Sequence, residues 1–293
     1  MSGTIVLEQG PARAVIARRG AEPLSWTVGP RSLLWSADPA WWSRTSPILF
    51  PVVGWTRGGR ILVDGTAYAM GVHGFAADAA FAVEERGEDR VTLVLDDDAE
   101  SRARFPFRFR LAVEYRLTAT ALSARLSVAN PGRGALPYAV GLHPGFRWPF
   151  DGGEPESYEI VFAEPETPEV PVITAGGLFS SRRRPVPLIG RRLPLSAALF
   201  AREALCFLDL RSRSLRFVAP SGAALEATFP DFPHVALWSR PGAPFLSIEV
   251  WTGHGDPEDF AGDVTEKPSM RLLPPGSQAE HHAAFRLLDP AAA

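Results

Sequence analysis

Short stretches in which apolar and polar residues alternate recur along the whole chain, for example at residues 4–8, 90–95, 121–130 and 279–287. A period of two is typical of β-strands, because successive side chains point to opposite faces of a sheet. The 26 glycines and 28 prolines fall between these stretches, and helical periodicity is scarce. The pattern predicts more than a dozen short strands in an all-β fold, a large antiparallel β-sandwich.

Two segments refine this prediction. Residues 60–63 and 66–70 flank an Asp64-Gly65 pair, which is a strong signal for a β-hairpin. Residues 151–194 are rich in Pro, Glu and Arg, and we expect a loop-heavy connection with one strand at 157–162. Strand patterning resumes after it, so the sequence predicts a single domain over residues 1–293, with residues 289–293 as a frayed tail.

Composition narrows the possible functions. The net charge of -3 argues against binding nucleic acid through a basic surface. Cys206 is the only cysteine, so no disulfide can form within the chain, and its apolar surroundings predict a buried thiol. The sequence contains neither a signal peptide pattern nor an apolar run of 18 residues, so we expect a cytoplasmic protein with no membrane partner. Nucleotide-binding glycine motifs are also missing, and we expect no cofactor.

Three residues are candidates for chemistry. Glu249 lies within the apolar run 245–251, where a carboxylate is costly unless it is paired. Burial there would raise its pKa and make it a useful base. His73 and His143 each end a β-type stretch beside a glycine turn, a place where functional side chains are often presented. Two histidines and a carboxylate could also bind a metal, but the short spacing of common metal motifs is missing and we expect none.

Aromatic and cationic residues near these candidates favour a carbohydrate ligand. Tryptophan faces pack against the C–H faces of sugars, and charged side chains bind sugar hydroxyls. Trp42, Trp251 and Arg240 are therefore candidate binding residues for a small-molecule sugar.

Four segments, at residues 46–54, 72–76, 141–146 and 238–253, together resemble the aldose 1-epimerase (galactose mutarotase-like) family in order and approximate spacing. The resemblance implies a β-supersandwich with a hexose in its concave face. It also implies that Glu249 is the general base, that His143 is the general acid, and that His73 binds and orients the sugar. The reaction expected is anomer interconversion through ring opening and reclosure, without a cofactor.

The chain departs from the family pattern where an arginine often follows the Pro-Val-Val-Gly segment. That position is Trp55 here, and we expect either that Arg57 or Arg60 supplies the guanidinium to the sugar instead, or that the sugar is held differently. The base-bearing strand reads Glu-Val-Trp at residues 249–251, where the family often has Glu-Pro-Trp.

Three other functions stay open. The first is a sugar-binding or sensing protein without catalysis. The second is a hexose 6-phosphate epimerase with arginines at the pocket rim, for which Arg57, Arg60, Arg147 and Arg240 are candidates. The third is a glycoside hydrolase, which would need a second carboxylate facing Glu249, from Asp231 or Asp256. Either a monomer or a homodimer is compatible with the sequence.

Overall fold

The structure is a computed structural model, and it describes residues 3–290. Strands dominate this part of the chain, at 47% against 8% helix, and the predicted all-β class is confirmed. The first eleven strands are β1 Thr4–Gln9, β2 Ala12–Ala17, β3 Pro23–Val28, β4 Arg31–Ser32, β5 Ile48–Leu49, β6 Arg60–Val63, β7 Thr66–Ala69, β8 Ala82–Arg86, β9 Arg90–Asp96, β10 Arg110–Leu117 and β11 Ala121–Ala129.

Fourteen strands follow in the second half of the chain. They are β12 Leu136–Tyr138, β13 Gly141–Leu142, β14 Gly145–Arg147, β15 Glu159–Phe162, β16 Glu169–Ile173, β17 Phe179–Pro185, β18 Arg192–Pro194, β19 Leu205–Phe207, β20 Ser214–Val218, β21 Ala224–Thr228, β22 His234–Trp238, β23 Phe245–Trp251, β24 Arg271–Leu273 and β25 Gln278–Leu288. The helical elements are α1 Ala99–Arg104 and 3-10 turns at Arg57–Gly59, Ala76–Asp78, Pro155–Ser157, Ala197–Phe200 and Val264–Glu266.

Two sheets form the body of the molecule. A nine-stranded antiparallel sheet runs in the order β18-β15-β20-β21-β25-β11-β10-β9-β8. A six-stranded sheet runs β19-β22-β23-β13-β5, and β14 also pairs with β23. Alternate residues of β10 and β11 are buried, as expected for a sheet that packs one face on a core and exposes the other.

Strand β23 is buried along its whole length, because both of its faces are covered. Leu246, Ile248 and Val250 point into the main hydrophobic core. The alternate residues point to the opposite face of the six-stranded sheet, and this face includes Ser247 and Glu249.

Several local predictions can be compared with the structure. The hairpin β6–β7 forms as predicted, and both turn residues, Asp64 and Gly65, have positive φ values of 49° and 76°. The prediction of a loop-heavy connection at residues 151–194 is wrong. In this segment β16 pairs with β17, and β15 pairs with both β18 and β20. The short helix α1 was not anticipated, although Asp98 and Ser101 cap its first turn reciprocally.

Asp289, the first residue of the predicted frayed tail, has an exposed side chain whose Oδ1 accepts a hydrogen bond from Arg31 Nη1 at 2.6 Å. Residues 291–293 lie outside the described residues. Among residues 3–290, no helix is both long and apolar enough to cross a membrane.

Candidate active site

The candidate residues meet on the face of the six-stranded sheet that is turned away from the main core. Strands β13 and β14 both pair with β23, with Leu142 opposite Val250 and Gly145 opposite Ser247. The same register continues between them and places His143 directly across from Glu249. Residues opposite each other on antiparallel strands have neighbouring side chains on one face. The sheet register therefore brings the two side chains together, although they lie far apart in sequence.

The His143–Glu249 pair is buried and in direct contact. His143 Nε2 lies 3.3 Å from Glu249 Oε1, and the two residues are 7% and 3% exposed. Glu249 Oε2 accepts a hydrogen bond from Trp251 Nε1 at 3.1 Å. Oε1 is thus the carboxylate oxygen that faces the histidine.

Burial sets the proton affinities of the pair. It raises the pKa of the Glu249 carboxyl well above its usual range, while the Trp251 hydrogen bond acts in the opposite direction. Burial also lowers the pKa of His143 well below its ordinary value, and the nearby His73 ring lowers it further. A site that disfavours both the lone carboxylate and the lone imidazolium holds one proton between the two groups.

Ser247 orients the His143 ring. Ser247 Oγ lies 2.8 Å from His143 Nδ1 and 3.0 Å from the carbonyl oxygen of Pro144. The hydroxyl has one hydrogen and donates it to Pro144 O, so Oγ accepts from the Nδ1–H group of His143. Nε2 is then the ring nitrogen that exchanges protons with Glu249 or with a ligand.

His73 is held on a loop next to this pair. Its φ of 63° is unusual for a residue other than glycine, and hydrogen bonds with Gly54 hold it on both sides. The backbone N–H of His73 donates to Gly54 O at 3.0 Å, and Gly54 N–H donates to His73 Nδ1 at 3.1 Å. Burial lowers the pKa of His73 to about 4, so the ring is neutral and carries its proton on Nε2. The rings of His73 and His143 lie 5.5 Å apart.

Potential ligand atoms of His73, His143 and Glu249 lie within 4.8 Å of one another, which is close enough for a metal ion. The hydrogen bonding opposes this use of His73. Its Nδ1 is occupied by Gly54 N–H, and its Nε2 carries the proton. Ligation through Nε2 would move that proton to Nδ1, where it would face the N–H group of Gly54.

The cluster lies in a cleft of about 590 Å³, a size suited to a small molecule. The Trp42 ring stacks on His143 with ring centroids 4.8 Å apart, and Trp238 contacts the same histidine edge-on. The cleft is lined by Trp42, Arg44, Pro47, Leu49, Gly54, Trp55, Val72, His73, Asp78, His143, Ile173, Gly177, Phe179, Glu203, Ala204, Cys206, Trp238, Arg240, Glu249 and Trp251. The structure thus brings together Glu249, His143 and His73 with the predicted binding residues Trp42, Trp251 and Arg240.

Arg57 and Arg60 do not join this cleft, and the expectation that either supplies a guanidinium there is wrong. Both line a separate cavity of about 410 Å³. After Gly54, which has a φ of 74°, the chain presents Trp55 to the cleft and then turns away. The Arg57 guanidinium donates to the carbonyl oxygen of Glu258 instead.

The carboxylates proposed to face Glu249 in a glycoside hydrolase are also elsewhere. Asp231 accepts hydrogen bonds from His282, and Asp256 forms an ion pair with Lys267. Two acidic residues that the sequence did not single out, Asp78 and Glu203, do line the cleft.

Both of these carboxylates are ion-paired with arginine. Arg44 Nη2 lies 2.5 Å from Asp78 Oδ1, and Arg184 Nε lies 2.9 Å from Glu203 Oε1. Neither had a sequence signal, since Asp78 ends the 3-10 turn Ala76–Asp78 and Glu203 lies in the irregular segment between the turn Ala197–Phe200 and β19. Cys206 also lines the cleft as a buried thiol whose pKa is raised by burial.

Comparison with known proteins agrees with the fold. The family model described as aldose 1-epimerase matches residues 3–185. The chromosomal LacX protein of Lactococcus lactis subsp. lactis is 31% identical over 253 residues, covering 82% of this chain and 85% of LacX.

Similar solved structures include a galactose mutarotase-like protein from Lactobacillus casei, with a TM-score of 0.91 and 28% identity, covering 98% of this chain and 100% of that one. A galactose mutarotase related enzyme from Lactobacillus acidophilus has a TM-score of 0.90 and 28% identity, covering 98% and 97% of the two chains.

Proposed function

Because the chain belongs to the aldose 1-epimerase family, we propose that it interconverts the α and β anomers of a free hexose or a related sugar. The observation that carries the proposal is the 3.3 Å contact between His143 Nε2 and Glu249 Oε1 in a cleft of sugar size. An acid and a base are both needed for this reaction, and this pair supplies one transferable proton and one vacant proton site.

The reaction balances with these two groups alone. Glu249 Oε1 takes the proton of the C1 hydroxyl, the C1–O5 bond breaks, and O5 receives the proton of His143 Nε2. The product is the open aldehyde, with Glu249 protonated and His143 neutral. After rotation about C1–C2, the C5 hydroxyl attacks the other face of C1 and returns its proton to His143. Glu249 then gives its proton to O1, which restores the starting pair.

The surrounding groups fit the binding of a sugar near this pair. His73 Nε2–H is a neutral donor next to His143, suited to a sugar oxygen. The indole of Trp42 covers the outer face of the His143 ring and, with Trp238, limits its rotation. Arg240 is at the cleft and forms no ion pair within residues 3–290, so its guanidinium is available to a hydroxyl.

The decisive experiment follows the optical rotation or NMR anomeric signals of freshly dissolved α-glucose and α-galactose. We expect wild type to accelerate equilibration, and Glu249→Gln and His143→Ala each to lose about 10²- to 10⁴-fold in rate. His282→Ala, an exposed histidine outside the cleft, is the matched control and should behave as wild type. Variants of Glu249 and His143 that retain full activity would overturn the acid–base assignment.

Two alternatives have different signatures in the same assays. A sugar-binding protein without catalysis would show a tryptophan fluorescence response to the sugar but no acceleration. A hexose 6-phosphate substrate would need rim cations, and Arg240 is the one at the cleft without an ionic partner in the described chain, because Arg44 pairs with Asp78. Inhibition by free phosphate that Arg240→Gln abolishes would favour the phosphorylated substrate.

A further inference from the structure

A buried ion pair lies behind one wall of the cleft and lines the separate cavity of about 410 Å³, not the cleft itself. Lys267 is the only lysine of the chain and is 3% exposed, and its Nζ lies 2.9 Å from Asp256 Oδ1. Apart from this contact, Nζ finds no acceptor among residues 3–290. A buried ion pair is costly compared with apolar side chains of similar size, so its presence calls for a reason other than stability.

Asp256 connects the segments that form this wall. Its backbone N–H donates to Trp55 O at 2.9 Å, and its backbone carbonyl accepts from Phe179 N–H at 2.9 Å. Its side-chain Oδ2 accepts from the backbone N–H of Arg57 at 2.8 Å. The other oxygen, Oδ1, faces Lys267. One residue thus joins the turn after Gly54 to strand β17.

The two segments that Asp256 joins close one edge of the cleft. The Trp55 ring packs so tightly on Gly177 that a Cβ on this glycine would lie 2.0 Å from Trp55 Cδ1. Gly54 packs against the backbone of Gly255, where a Cβ would approach the nitrogen to 2.6 Å. Gly54 is also the residue whose N–H fixes the His73 ring.

We propose that the Asp256–Lys267 pair positions the binding wall of the cleft, formed by Trp55, Phe179 and the anchor of His73, against the sugar. The pair touches neither His143 nor Glu249, which are held by the six-stranded sheet. Asp256 and Lys267 are therefore positioning residues that act on sugar binding and not on proton transfer. This inference rests on the proposed function for its kinetic part, but its structural part can be tested without any sugar.

The kinetic test uses Lys267→Met, Asp256→Asn and the double variant. We expect KM to rise about tenfold, the scale of one well-placed aromatic contact, with kcat close to wild type. Each single variant leaves one buried charge without its partner, which could unfold the protein. The double variant removes both charges, so we expect it to keep the fold in that case. Asp151→Asn is the matched control, because Asp151 pairs with Arg31 at 2.6 Å away from the cleft.

The structural test uses protein labelled with 5-fluorotryptophan, in which Trp55→Phe identifies the Trp55 signal. We expect the Trp55 fluorine resonance to shift or broaden in Lys267→Met or the double variant, and not in Asp151→Asn. Trp26, buried in the main core, serves as the internal reference.

The outcomes separate the two proposals. If wild type does not act on sugars, the proposed function fails, yet a Trp55 resonance that moves only in the Asp256 and Lys267 variants still supports the positioning role. The positioning role would be overturned if the folded variants kept both the wild-type Trp55 resonance and the wild-type KM. Their loss of thermal stability would not change this conclusion.

Discussion

Replacing Ser247 by alanine tests whether one hydroxyl sets the proton position on His143. Ser247 is fully buried, and its Oγ connects His143 Nδ1 to the carbonyl oxygen of Pro144. Alanine leaves the buried Nδ1–H group of His143 without an acceptor, whereas Pro144 O keeps its hydrogen bond from Ile248 N–H at 3.1 Å. One unsatisfied buried group costs about 1–3 kcal/mol, so we expect the free energy of unfolding to fall by about 1–3 kcal/mol.

The activity should fall further than stability alone explains. Without the Oγ acceptor, nothing holds the proton of the neutral His143 ring on Nδ1, and the ring can carry it on Nε2 instead. We expect kcat for mutarotation to fall by about 10- to 100-fold, the scale of a misplaced acid–base group. Polarimetry measures the rate, urea unfolding measures the stability, and ¹⁵N NMR of the imidazole reports which ring nitrogen carries the proton.

The matched control is Ser212→Ala. Ser212 is also fully buried, and its Oγ accepts from Glu164 N–H at 2.9 Å and lies 3.4 Å from Glu164 O, but it does not line the cleft. We expect a comparable loss of stability with kcat near wild type. The reasoning is refuted if Ser247→Ala keeps both the wild-type kcat and the Nδ1–H form of His143.

Three further predictions concern protons and metals. The acid limb of the kcat/KM profile should lie above pH 4.5, because activity falls as the general base Glu249 gains a proton and burial raises the pKa of this carboxyl, and a limb at or below pH 4.5 would contradict this. His73, His234 and His281 each have a pKa of about 4 in the folded chain, against about 6.5 unfolded. The unfolded chain therefore binds more protons in this window, and urea titrations should show stability decreasing as pH falls from 6.5 towards 4, by at most about 3 kcal/mol per histidine; a pH-independent midpoint would contradict it. EDTA should leave mutarotation unchanged, and a loss restored by Zn²⁺ would show that His73 ligates a metal despite its hydrogen bond to Gly54.

The sequence predicted the strands better than the relations between them. Period-two alternation identified the β class and the apolar strand that carries Glu249, because a strand with a buried face has apolar residues at the positions that face the core. The alternation contains no information on how strands pair, so the placement of His143 opposite Glu249 had to come from the structure. The hairpin of β16 and β17 was missed, since Pro171 and the exposed arginines of β17 resemble a solvated loop.

The misplaced arginines have a related cause. Arg57 and Arg60 were assigned to the cleft because they lie near Trp55 in sequence. A local turn decides which side of the chain faces a cavity, and here Gly54, Gly58 and Gly59 all have positive φ values. Such turns reverse direction within two or three residues, so proximity in sequence does not fix the side on which a long side chain emerges.

The two halves of the cleft differ in how they are held. His143 and Glu249 face each other from paired strands in the middle of a sheet, where the backbone ladder fixes their distance. Trp55 and Gly177 come from a turn and a hairpin tip that meet through side-chain packing. Substitutions on the second side can therefore alter the shape of the sugar pocket without moving the proton-transfer pair. If the proposed function holds, sugar preference should follow the Trp55 wall, whereas the rate of the chemical step should follow the sheet.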